Sequence, residues 1–130
     1  MMIVTSREVT RDVLENVFVT AIEGGSNYWY YIPKKSLTII RDVVPKSVEP
    51  CISVALFKAV FDHNIDVAIH DIEDKEKELG VISIKTMQER IQKLADTEPN
   101  YFDSEVDEYG DAVSSDVWFQ YITLGELIFG

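Results

Sequence analysis

The stretch Glu23-Gly24-Gly25-Ser26-Asn27-Tyr28-Trp29-Tyr30-Tyr31-Ile32-Pro33 constrains this chain more than any other. Two adjacent glycines stop whatever precedes them, because glycine takes the left-handed cap conformation without a Cβ penalty. Four consecutive aromatic side chains follow. So much ring surface suits a pleated, largely covered strand. Pro33 then breaks the run. The expected arrangement is a helix, a glycine turn and a strand over residues 28–32. On that strand Tyr28, Tyr30 and Ile32 share one face, and Trp29 and Tyr31 share the other.

The rest of the chain is read around this turn. Thr5-Ser6-Arg7-Glu8 has the form of a capping box. Val9, Val13, Val17 and Ala21, with Leu14 and Phe18 beside them, then make one helical stripe. Residues 37–44 are expected as a second strand, ended by Pro45. Ser47 is the expected cap of a second helix, with Pro50 in its first turn. Ile52, Ala55, Leu56, Ala59 and Val60 trace that helix, and Asp62-His63-Asn64 closes it.

Residues 66–72 and 79–84 read as a hairpin whose link, 73–78, is entirely charged. Met87, Ile91 and Leu94 place a third helix over 85–95. Residues 98–111 read as an acidic loop, with room for a helical turn at Tyr101-Phe102. Val113, Val117, Tyr121, Leu124 and Ile128, widened by Trp118 and Ile122, form a last helix starting near Asp111 or Ser114. Gly125 within it marks either close backbone packing or an early end to the helix. Leu127, Ile128 and Phe129 are expected to be ordered and buried. This order predicts a single compact α+β domain over residues 1–130, with a small, mostly antiparallel sheet and helices packed on one face.

Composition narrows the function classes. The chain is 46% hydrophobic and 27% charged, which is globular. No apolar run approaches the ~20 residues of a membrane span. No charged segment followed by an apolar one marks a secretory signal. The single cysteine, Cys51, excludes an intramolecular disulfide and is read as a small buried residue near a helix start. The expected compartment is the cytoplasm.

The net charge of −11 is uneven: residues 62–116 hold sixteen acids and five bases, and the first 61 residues hold six and seven. Such a surface repels DNA. It serves solubility, or imitates nucleic acid before a basic partner.

No catalytic motif is present. There is no nucleophile elbow, no P-loop and no metal spacing of Cys and His. His63 and His70 read as surface histidines. A calcium loop from Glu105 to Asp116 would place Tyr109 at the fifth position and an aspartate at the twelfth, a poor ligand set. The expectation is therefore a non-enzymatic protein without cofactor or metal.

The aromatic turn carries the main binding expectation. Asn27, Trp29 and Tyr31, with Lys34, Lys35 and Arg41 just after, combine stacking rings, an amide and phosphate-binding cations. That set would take a nucleotide-type small molecule or meet a host protein. The alternative for the rings is core or oligomer packing. Fourteen aromatics in 130 residues also predict a homo-oligomer.

Three segments carry a family resemblance. They are Thr20–Trp29, with its Glu-Gly-Gly and Tyr-Trp pair; His70–Asp74, followed by residues 81–94; and Asp111-Ala112 with Asp116–Gly130, which ends Gly-Glu-Leu-Ile-Phe-Gly. In this order they resemble a group of short uncharacterised proteins of tailed bacteriophages and prophages. Such proteins usually have small aliphatic residues in the last helix, where this chain has Trp118 and Tyr121. The resemblance implies a phage or prophage origin and no particular activity; because phage genomes are rich in small non-enzymatic proteins that bind host factors or host signalling molecules, the expectation is an accessory binder in the host bacterial cytosol. The competing reading is an acidic decoy that occupies a basic site of a host protein through residues 62–116.

Overall fold

The computed structural model describes all residues from Met1 to Gly130. Six helices surround a three-stranded sheet: α1 Arg11–Thr20, β1 Tyr30–Tyr31, α2 Lys34–Val43, α3 Ile52–His63, β2 Val67–Asp71, β3 Glu78–Ile82, α4 Ile84–Thr97, α5 Pro99–Val106 and α6 Ala112–Leu124. The sheet is antiparallel in the order β1-β2-β3. Tyr31 pairs with His70, and Val67 pairs with Ile82. The architecture is a compact α+β fold, and no helix is long and apolar enough to cross a membrane.

α6 is the axis. Every residue from Ser114 to Thr123 is buried, so the helix is covered on all sides. That explains why its apolar residues are not confined to one stripe, while buried Ser114, Ser115, Asp116, Gln120 and Thr123 lie among them. It packs against α1, α4, α5, β3 and the turn that follows α1. Phe119 meets the rings of Phe18, Trp29 and Tyr30, and Trp118 stacks on Phe102 at 5.4 Å. Asp111 and Ser114 form a reciprocal capping box at its start. Gly125, at φ +81°, ends it in the left-handed region. Arg90 donates to the carbonyls of Ile122 and Thr123, and Lys93 donates to that of Gly125. Two cations thus satisfy orphan carbonyls at the negative end of the helix dipole.

Several expectations are corrected. Residues 37–44 are not a strand but most of α2, in which Ser36 and Ile40 face inward and Ser36 donates to the carbonyl of Ala68. The first helix is capped by Thr10, whose hydroxyl accepts from the Val13 N–H, and not by Thr5-Ser6-Arg7-Glu8. α3 begins at Ile52 after Cys51, so Ser47 caps nothing, and Cys51 is exposed. In the acidic 98–111 segment the helical turn expected at Tyr101-Phe102 is the longer α5, with Pro99 in its first turn. Gly24 and Gly25 close a π-type turn over Ala21–Gly25 without entering the left-handed region. The strand at the aromatic run is two residues long.

Candidate functional site

The aromatic turn is built inward. Trp29 is 1% exposed, which corrects the expectation that it presents an open face. Its indole N–H donates to Asp116 Oδ1 at 2.8 Å, and the Ser26 hydroxyl donates to the same oxygen at 2.7 Å. The Tyr28 hydroxyl and the Gln120 amide donate to Oδ2. Asp116 is therefore a buried carboxylate that faces four donors and no cation. Hydrogen bonds to the charged form offset its desolvation.

Gln120 extends the network to the C-terminal tail. Its Oε1 accepts from the backbone N–H of Ile128 and Phe129, and its Nε2 donates to the Phe129 carbonyl. This anchor of three hydrogen bonds lays the Phe129 ring on Trp29, stacked at 5.4 Å. Thr20–Trp29 and Asp116–Gly130, far apart in sequence, are joined through Asp116 and Gln120.

Gly25 makes the contact possible. A Cβ on it would lie 2.7 Å from the carbonyl oxygen of Ala112, so the turn can seat against the start of α6 only with hydrogen at that position.

The Tyr28 ring is half exposed while its hydroxyl points into the network. Burial of that end, then the hydrogen bond to Asp116 and its charge, push the phenol from 10.0 up to about 12, opposed by the Gln120 amide. Tyr28 is thus held as a donor at neutral pH. Burial also raises the Tyr30 phenol, which donates to the Ile22 carbonyl.

Outside this network lies an open groove of about 690 Å³, walled by Gly25, Tyr28, Tyr101, Val113, Leu127 and Phe129, with Asp116 at its floor. Tyr28, Val113, Leu127 and the neighbouring Ile128 are 50, 57, 41 and 55% exposed. The expectation of a buried tail holds for the inner side of Phe129 and fails for Leu127 and Ile128. No Lys or Arg lines this groove.

The basic residues lie elsewhere. Lys34 and Arg41 line a shallow separate groove with Leu37, Thr38 and Asp42. Arg41 donates to the carbonyls of Glu49 and Pro50 and so clamps the loop between α2 and α3. Lys35 and Asn27 are exposed, and Lys75 sits over the ring of half-buried Tyr31 at 4.9 Å. The structure does not bring Trp29 together with Lys34, Lys35 and Arg41 on one open surface.

The histidines are on separate elements, His63 ending α3 and His70 on β2 with its Nδ1 at 2.7 Å from the Lys75 carbonyl. Asp116, within α6, is turned away from any calcium loop. Sequence reading missed Asp116 and Gln120. Their i, i+4 spacing in an apolar helix was the available signal.

Comparison of the chain with protein-family models, curated proteins and solved structures finds no match.

Proposed function

We propose that this protein is a non-enzymatic binding module whose groove between Tyr28, Val113 and Phe129 receives an apolar segment of a partner protein. One observation carries the reading. Three exposed apolar side chains, Tyr28, Val113 and Leu127, stand in water around an open groove whose base is rigidly hydrogen-bonded. An exposed apolar cluster of this kind is a docking surface, and its aromatic content suits an interface. All four lone-pair directions of Asp116 are occupied, which favours a structural role over that of a general base.

The acidic residues Glu108 and Asp111 immediately precede this wall, so the partner segment is flanked by Lys or Arg. A phosphate-bearing ligand fits less well, because no cation faces the groove. The resemblance to phage and prophage proteins makes a host protein the natural source of the segment, and the acidic decoy reading is its long-range electrostatic component.

A panel of short peptides with an apolar centre and basic flanks tests this by amide chemical-shift mapping. Binding should be saturable, should weaken as salt rises, and should be lost in Val113→Asp and Leu127→Asp. Shifts confined to the Lys34–Arg41 groove on adding a nucleotide, with none here on adding peptide, would restore the nucleotide reading.

A further inference from the structure

A smaller pocket, of about 250 Å³, opens between α1 and the end of α5. Asp12, Val13, Asn16, Glu105, Glu108 and Gly110 line it, and no Lys, Arg or His does. Asp12, Asn16 and Glu108 are exposed and form the rim; Glu105 is the floor. Glu105 is 3% exposed, yet only half of its carboxylate is satisfied. Its Oε1 accepts from the hydroxyls of Ser114 and Ser115, both at 2.7 Å. Its Oε2 accepts no hydrogen bond, and neither Glu105 nor the rim acids form an ion pair within the chain. Gly110 seats the carboxylate against the pocket wall, because a Cβ there would overlap the Glu105 carboxyl group. A buried charge is ordinarily paired. This one faces two further carboxylates, and the cation that would complete it is not supplied by the chain.

We infer that this pocket takes the ammonium or guanidinium of a Lys or Arg in the partner segment, an inference that rests on the binding reading of the Tyr28–Phe129 groove. Position relates the two cavities. Tyr101 lines the groove and Glu105 the pocket, and they lie four residues apart on α5. They therefore share a helix face, about 6 Å apart along the axis. Val113 of the groove and Gly110 of the pocket are likewise three residues apart. A basic side chain next to the apolar anchor spans that step with its methylene stem, for which Val13 offers the one apolar wall. Its head group exchanges water for charge-assisted hydrogen bonds to Oε2 of Glu105 and to the rim. No group of three or more His, Cys, Asp or Glu is placed to hold a metal ion, so the fit is to a cation carried on a stem.

Paired peptides test the inference. Both have an apolar centre; one carries a flanking Lys and the other norleucine in its place. Glu105→Gln keeps an oxygen for Ser114 and Ser115 and removes the charge. By amide chemical-shift titration the parent should bind the Lys peptide about tenfold more tightly than the norleucine peptide, and Glu105→Gln should reduce that ratio to about twofold or less. Asp12→Asn combined with Glu108→Gln alters only the exposed rim, and should also reduce the ratio without disturbing the buried floor. N-acetyl-lysine methylamide at millimolar concentration offers the head group without an apolar centre. It should shift the amides of Asn16 and Gly110 in the parent and not in Glu105→Gln. Equal affinities for the two peptides would overturn the pocket's role and leave the groove reading standing. So would a Lys preference untouched by both the floor and the rim variants, since the long-range field of a chain of net charge −11 would then account for it. Peptides that fail to bind while the lysine amide still shifts Asn16 and Gly110 would retain the pocket and sink the groove reading. Silence from the peptides and the amide together would sink both.

Discussion

Trp29 and Asp116, eighty-seven residues apart, are joined by a 2.8 Å hydrogen bond from the indole N–H to Oδ1, and both side chains are buried. The aromatic turn is thereby locked to the central helix by a carboxylate, not by apolar contact alone. A buried carboxylate is tolerated only while its donors remain in place. The donors from Ser26, Tyr28 and Trp29 in turn have no other acceptor, whereas the Gln120 amide also reaches the Phe129 carbonyl.

Asp116→Ala should therefore be among the most destabilising single changes in the protein. It strands the N–H of Trp29 and the hydroxyl of Ser26 inside the fold. Each unsatisfied buried group costs about 1–3 kcal/mol. Asp116→Asn should also destabilise, because its amide NH2 meets donors on one side. Urea unfolding should report a loss of at least about 2 kcal/mol for the alanine variant at an unchanged m-value. A midpoint within error of the parent would mean that water replaces the carboxylate without penalty.

Tyr28 gives the network a pH signature. Its phenol is raised in the folded state to about 12 from 10.0. A raised value means that the folded state holds the proton more tightly. The stabilisation is complete below pH 10 and is lost as pH rises toward 12. Ultraviolet titration should show late-ionising phenols, Tyr28 and Tyr30 among them, and Tyr28→Phe should reduce that late component by one tyrosine. The ring is half exposed, so solvent screening keeps the effect on stability small.

Much of the fold was legible in the sequence, for identifiable reasons. The stripe Val13, Val17, Ala21 is apolar throughout, so its helix announced itself. α2 did not, because Ser36 occupies a core-facing position on α2 and hides the period. Its hydroxyl is satisfied by the Ala68 carbonyl, a partner thirty-two residues away that local pattern cannot supply. Thr38, Ile39, Ile40, Val43 and Val44 then read as strand by their β-branched content. At the site, the aromatic run Tyr28 to Tyr31 stands out in the sequence, but strand alternation fails there because only Tyr30 and Tyr31 are in a strand. Trp29 turns inward to an aspartate that belongs, by sequence, to an acidic run. Nothing local separates buried Asp116 from exposed Asp107 except the helix into which it falls.

The two glycines of the turn should behave oppositely. Gly25→Ala places a methyl 2.7 Å from the Ala112 carbonyl oxygen, which is backbone and cannot swing aside. Overpacking of that kind costs about 1–3 kcal/mol. A Cβ on Gly24 meets nothing within 4 Å, and its φ is not positive. Gly24→Ala should be neutral or stabilise by about 0.4–1 kcal/mol through the unfolded chain. Paired thermal melts decide the matter, and equal losses in both variants would mean that the turn does not seat against α6.

The tail prediction separates burial from stacking. Phe129 covers Trp29 with the two rings nearly parallel, at 7°. Its own outer surface remains partly in solvent. Phe129→Ala should cost about 0.5–1.5 kcal/mol for the ring pair in addition to the lost apolar contact. Trp29→Ala opens a cavity in the core and should cost about 3–5 kcal/mol. Gln120→Ala should release the tail by removing its only side-chain anchor to Ile128 and Phe129, and should leave the Asp116–Trp29 bond in place. The Trp29 indole N–H resonance reads the difference. It should move modestly in Phe129→Ala and in Gln120→Ala, as the ring face above it is uncovered, and should stay protected from exchange by its bond to Asp116. An indole N–H that exchanges rapidly once Phe129 is removed would show that the tail, and not the carboxylate, keeps water from Trp29.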